Sequence, residues 1–102
     1  MKKPPTAAQK RHWSDIIELG CILRHTIVGH FCRGRMTIHH CGTGAGGRAN
    51  HSNVICLCEE YHQGRNGIDG KQAYTKRTWQ EAFGSEIGLM VRTQELLDAK
   101  KA

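Results

Sequence analysis

The sequence predicts a small single-domain α+β fold, and three observations carry that expectation. Residues 7–19 repeat apolar side chains at helical spacing. Two short β-prone runs, 36–41 and 53–58, stand on either side of a glycine-rich stretch. The last third of the chain holds two segments that begin at capping residues and carry apolar positions at helical intervals. With 102 residues, 38% of them hydrophobic, and 12 glycines, the core is thin, and a metal or a partner is expected to complete its stabilisation.

In order along the chain, residues 1–5 (MKKPP) read as a basic flexible tail, and 6–102 as the folded domain. Thr6 is placed to cap a helix over AAQKRHWSDIIEL. Its Trp13, Ile16, Ile17 and Gly20 share one face, and Gly20 ends it. CILRHTIVGHFC, residues 21–32, is β-prone in parts and broken by Gly29, and reads as an irregular knuckle. RMTIHHC forms a short strand that puts Thr37 and His39 on one face and Ile38 and His40 on the other. GTGAGGRAN is a loop, NVICLC a second strand, and CEEYHQG the start of a helix, so strand, loop, strand and helix follow one another over about 36–66. RNGIDGKQ is another loop. Thr75 caps KRTWQEAF, which stops at Gly84. Ser85 caps a last helix from Glu86 to about Lys100, with Ile87, Met90, Val91 and Leu97 as its expected buried stripe.

Fifteen lysines and arginines oppose nine aspartates and glutamates, a formal net charge of +6. Residues 1–35 carry seven basic and two acidic side chains, 36–70 two and three, and 71–102 six and four. A basic surface around a near-neutral middle suits a polyanion such as DNA or RNA, with plain solubility as the simpler use of the same charge. MKKPPTAAQKRHW has no apolar run after its lysines and does not read as a signal peptide. No stretch approaches the roughly 20 apolar residues of a membrane span. A cytoplasmic protein without membrane association is expected, and there cysteines mixed with histidines point to metal before disulfides.

Chemistry concentrates between Thr37 and His62, which hold four of seven histidines and three of five cysteines. A strand ending in adjacent histidines points one inward and one outward, so His39 and His40 do different work. Asn53 stands nine residues before His62. That spacing lets a strand cross, turn, and deliver a histidine from the first turns of a helix. Two histidines then meet at one divalent cation while a third faces a water beside it, a set sufficient for phosphodiester hydrolysis. GTGAGGRA lacks the Gly-Lys-Ser/Thr ending of a phosphate-cradling loop, so nucleotide binding is not expected. Arg48 in that loop is a candidate phosphate contact or part of a plain connector.

The pattern IHH followed by NVICLCEEYH resembles HNH nucleases, which build a ββα-metal core of two strands and a helix around one metal ion. The resemblance implies His39 and His62 as metal ligands, His40 as the general base for water, and Asn53 as the brace of the loop. It also implies one divalent ion, Mg²⁺ or Mn²⁺, although imidazole ligands also suit Zn²⁺ or Ni²⁺. LGC, IHH, GAGGRANH, LCEEYH and FGSEIGLM, in that order, resemble phage recombination-enhancement (Ref-type) RecA-dependent nucleases. That likeness makes His51 a second candidate for the bracing role. It implies cutting of DNA held by a RecA filament, in the cytoplasm of a bacterial host.

Such domains often carry a structural zinc on two cysteine-containing pairs. Cys21 and Cys58 stand in the first place of each pair, but Arg24 and Tyr61 occupy the second. His25, His30 and Cys32 are the replacements on offer, and loss of the zinc is the alternative. Cys41 and Cys56 read as small strand residues. Two other functions stay open: a non-catalytic zinc-knuckle module that binds nucleic acid, and an HNH nuclease acting in phage DNA packaging.

Overall fold

The computed structural model of the protein describes residues 3–42 and 47–101. Helix α1 spans Ala7–Leu19 behind a reciprocal cap. The Thr6 side chain accepts the Gln9 N–H at 3.1 Å, and Gln9 Oε1 accepts the Thr6 N–H at 2.8 Å. Gly20 ends the helix at φ 84°, where a side chain would be strained. A single turn, α2 (Leu23–Thr26), opens the knuckle, and Gly29 turns its tip at φ 77°. Strand β1 (Met36–His40) pairs antiparallel with β2 (Val54–Cys58), and α3 (Glu59–His62) follows directly. Helices α4 (Lys76–Phe83) and α5 (Glu86–Lys101) complete the chain, and Thr75 caps α4 with Thr78 as its partner. The Ser85 side chain accepts the Gly88 N–H at 3.0 Å and caps α5. The expected α+β class and order of elements are present. Of the glycine-rich loop, residues 43–46 lie outside the described residues, and Gly47–Ala49 form a 3-10 turn.

The two-stranded sheet is covered on both faces, which is why every residue of β2 is buried. Ile55 and Leu57 face a core with Leu23, Ile68, Trp79 and Leu89, whereas Val54 and Cys56 face Ile16 of α1 and Leu97 of α5. The register sets His39 opposite Ile55 and His40 opposite Val54, so the adjacent histidines enter different layers. Cys56 is core as expected, and burial pushes its thiol up to about 12. Among the described residues no helix is long and apolar enough to cross a membrane.

One expectation fails. The buried stripe of α5 is Glu86, Leu89, Thr93 and Leu97, with Met90 only partly buried, while Ile87 and Val91 are more than half exposed. Apolar residues surround this helix, so periodicity alone does not fix its phase. The capped start at Ser85 and the docking of Glu86 decide it.

Residues 63–73 position the site through close backbone contacts. The Ile68 N–H donates to the Tyr61 carbonyl at 3.1 Å and the Asp69 N–H to the His62 carbonyl at 2.8 Å, folding the loop back over α3. Trp79 is fully buried and its indole N–H donates to the Asn66 carbonyl at 2.9 Å. A Cβ on Gly67 would collide with the His62 carbonyl, so only glycine fits this return.

Candidate metal centre

Three ligand-bearing side chains converge where β1, α3 and the returning loop meet. His39, His62 and Asp69 each offer a ligand atom, and these atoms lie within 4.8 Å of one another. His39 Nδ1 is 3.1 Å from Asp69 Oδ2, and His62 Nε2 is 3.3 Å from the same oxygen. Arg48 approaches the other carboxylate oxygen at 3.3 Å. Burial opposes the Asp69 charge, but the bonds from His39 and His62 and the Arg48 charge outweigh it, holding the carboxyl well below its usual range.

Thr37 fixes the His62 ring. Its hydroxyl lies 2.6 Å from the Leu57 carbonyl, which only accepts, so the hydroxyl proton is spent there. The contact between Thr37 Oγ1 and His62 Nδ1, at 2.8 Å, is then donated by Nδ1–H. A neutral His62 therefore aims the lone pair of Nε2 at a carboxylate oxygen. Two acceptors face each other at that separation only with a proton or a cation between them, so the donor set suits a cation.

The second His39 nitrogen lies on the opposite side. Nε2 is 2.6 Å from Glu86 Oε2, and Glu86 also accepts the Gly42 N–H at 3.2 Å and stands 3.6 Å from Lys76 Nζ. Burial opposes charge on His39, yet the two flanking carboxylates prevail and raise its pKa. His39, Cys41 and Glu86 form a second convergent group, wholly buried. A solvent-open cleft of about 440 Å³, lined by Arg33, Arg35, Thr37, Glu59 and His62 among others, adjoins the first group.

On the other face of β1, His40 Nε2 lies 3.0 Å from His51 Nδ1, and His51 Nε2–H donates to the Lys3 carbonyl at 2.6 Å. A carbonyl cannot donate, so a neutral His51 accepts from His40 Nε2–H, and the lone pair of a neutral His40 resides on Nδ1. Trp13 stacks edge-on against both rings, at 5.3 and 5.6 Å, and its indole N–H donates to the His51 carbonyl at 2.7 Å. Asn53 bonds to residues at both ends of the intervening stretch. Its carbonyl accepts the Cys41 N–H at 2.8 Å, and its side-chain amide donates to the Gly47 carbonyl at 3.4 Å.

A separate cluster gathers Cys21, His30, Cys32 and Cys58, again with ligand atoms within 4.8 Å. A tetrahedral zinc site with bonds of about 2.3 Å to sulfur has ligand separations near 3.8 Å, and Cys21 Sγ and His30 Nε2 stand 3.8 Å apart. Burial and the neighbouring Cys21 and Cys58 push the Cys32 thiol up to about 12. Burial raises the Cys21 thiol as well, so these two ionise only with a cation at hand. The structure brings in His30 and leaves out His25, whose Nε2–H donates to the Leu19 carbonyl at 2.8 Å.

Sequence reasoning missed Asp69 and Glu86. Asp69 sits seven residues beyond His62 in a loop with no period, and its one local signal is the flanking pair Gly67 and Gly70. Glu86 reads as an ordinary acidic first-turn residue of a capped helix.

The chain belongs to the family of recombination-enhancement, RecA-dependent nucleases, whose sequence profile matches residues 5–98. No curated protein and no solved structure matches it significantly.

Proposed function

We propose that the protein is a metal-dependent HNH endonuclease that hydrolyses DNA phosphodiester bonds in RecA-dependent recombination, in the cytoplasm of a bacterial host. The observation that carries this reading is the convergence of His39, His62 and Asp69 beside an open cleft, with a braced His40 on the same strand. A divalent cation, Mg²⁺ or Mn²⁺, held by these three side chains would supply positive charge to the scissile phosphate and to the oxygen that leaves. His40 takes the proton of the attacking water at Nδ1, because its Nε2–H is donated to His51. His51 and Trp13 orient His40, and Asn53 keeps the loop between the strands closed. Thr37 holds His62 in the tautomer that leaves Nε2 available as a ligand. Family membership supports the partners, DNA and a RecA filament. The four-residue cluster Cys21, His30, Cys32 and Cys58 supports a structural zinc.

The test incubates plasmid DNA with the protein and Mn²⁺ or Mg²⁺, with and without a RecA filament formed on matching single-stranded DNA. Cutting is expected only with metal, and most strongly at the filament. The His40→Ala variant is expected to bind DNA and lose about 10²–10⁴-fold in rate, the usual worth of a general base. DNA binding without cutting under every metal, filament included, would leave the zinc-knuckle binding module as the better reading.

A further inference from the structure

We propose that Glu86 is a positioning residue for the metal centre: it holds the His39 ring by Nε2 and thereby presents Nδ1 to the cation. The inference rests on the reading that His39, His62 and Asp69 hold the ion. It begins with an anomaly in α5. Position 86 lies on the buried stripe with Leu89, Thr93 and Leu97, where an aliphatic side chain would complete the core. A carboxylate stands there instead, with no exposed surface. A buried carboxylate is costly unless its oxygens are well bonded. Among the described residues the Glu86 carboxylate meets His39 Nε2 at 2.6 Å, the Gly42 N–H at 3.2 Å and Lys76 Nζ at 3.6 Å, all at the His39 end of β1 or the start of α4.

The alternative use of these residues, a second cation on His39, Cys41 and Glu86, fits less well. That group is wholly buried, and Lys76 already supplies the positive charge beside Glu86. The group with Asp69 has a partly exposed carboxylate and the cleft beside His62. His39 therefore faces the ion with Nδ1, and Glu86 accepts from Nε2–H. A carboxylate on the far nitrogen of a ligating histidine fixes its tautomer and ring angle and strengthens it as a donor, typically by about 10–100-fold in metal affinity. Lys76 and the Gly42 N–H hold the carboxylate in turn, so α4, α5 and β1 all contribute to aiming one imidazole.

The experiment is calorimetric titration with Mn²⁺, which disfavours thiolate sites, of the full chain and of Glu86→Gln, Glu86→Leu and His62→Ala, each with a melting curve. Wild type is expected to bind one ion. Glu86→Gln, whose amide oxygen still accepts from Nε2–H, is expected to bind several-fold more weakly, and Glu86→Leu about 10–100-fold more weakly. Folded Glu86→Leu with wild-type affinity would overturn the inference and leave the metal site standing. Unchanged binding in His62→Ala, or no binding by wild type, would overturn both. Should Glu86→Leu fail to fold, long-range ¹H–¹⁵N spectra of the wild-type histidines with Zn²⁺ bound decide the matter. His39 protonated at Nε2 is expected, and protonation at Nδ1 would overturn the inference.

Discussion

His39 sits between two carboxylates, and the consequence is a stability that depends on pH in the metal-free protein. Its pKa is raised above the ordinary 6.5, so its bonds as an imidazolium contribute fully below about pH 6.5. They are lost as pH rises through the raised value. Melting temperatures of the metal-free protein are therefore expected to fall from neutral toward alkaline pH, and His39→Gln is expected to flatten that slope. An unchanged slope in the variant would show that the carboxylates do not hold His39 in this way. Asp69 shifts oppositely: its carboxyl is depressed, so its contribution is present above about pH 4 and is lost only in strong acid. As a proposed direct ligand, Asp69 should cost more than an outer partner, so Asp69→Asn is expected to weaken Mn²⁺ binding by at least about tenfold. Calorimetry reads this directly. At this scale the meeting of His39 and His62 is legible because their order and spacing follow a strand, a turn and a helix, whereas the roles proposed for His40 and Asn53 come from the family resemblance. Asp69 and Glu86 are not legible, because tertiary folding alone brings them to His39.

Among the elements, α5 and the 63–73 loop carry the informative tests. Leu97 is buried against Ile16, Val54 and Cys56. Leu97→Ala is expected to destabilise the fold by about 2–4 kcal/mol, and Ile87→Ser, at an exposed site, by less than about 0.5 kcal/mol. Chemical denaturation of the two variants checks the corrected phase of the helix, and the reverse ranking would restore the stripe read from sequence. The helix ends are legible, since Thr6, Thr75 and Ser85 offer capping hydroxyls and Gly20 and Gly84 offer stops. The phase of α5 is not, because two of its four buried positions are the polar Glu86 and Thr93. Gly67→Ala drives a Cβ into the His62 carbonyl. It is expected to displace Asp69 and lower metal affinity even where the fold survives, which a Mn²⁺ titration of the variant measures.

For the molecule as a whole, the core is small and the cysteine cluster closes it. Cys21 follows α1, Cys58 ends β2, and His30 and Cys32 come from the knuckle between them, so one ion would tie three parts of the chain together. One tightly held zinc per chain is expected by native mass spectrometry, with a lower melting temperature after chelation or in Cys58→Ser. A chain that keeps its melting temperature after complete metal removal would show that packing alone closes the knuckle. The cysteine-rich character of this region is legible in the sequence. The choice of His30 over His25 is not, because it depends on which way a single helical turn and a glycine turn direct their side chains.

On the proposed function, the site of His39, His62 and Asp69 cuts DNA. The most direct measurement is the rate of cutting at a RecA filament as a function of Mn²⁺ concentration, for wild type and for folded His39→Ala. The rate is expected to saturate with the same affinity as the calorimetric site and to vanish in the variant. Cutting that persists in chelator, or that His39→Ala performs with the wild-type Mn²⁺ dependence, would contradict the proposed function.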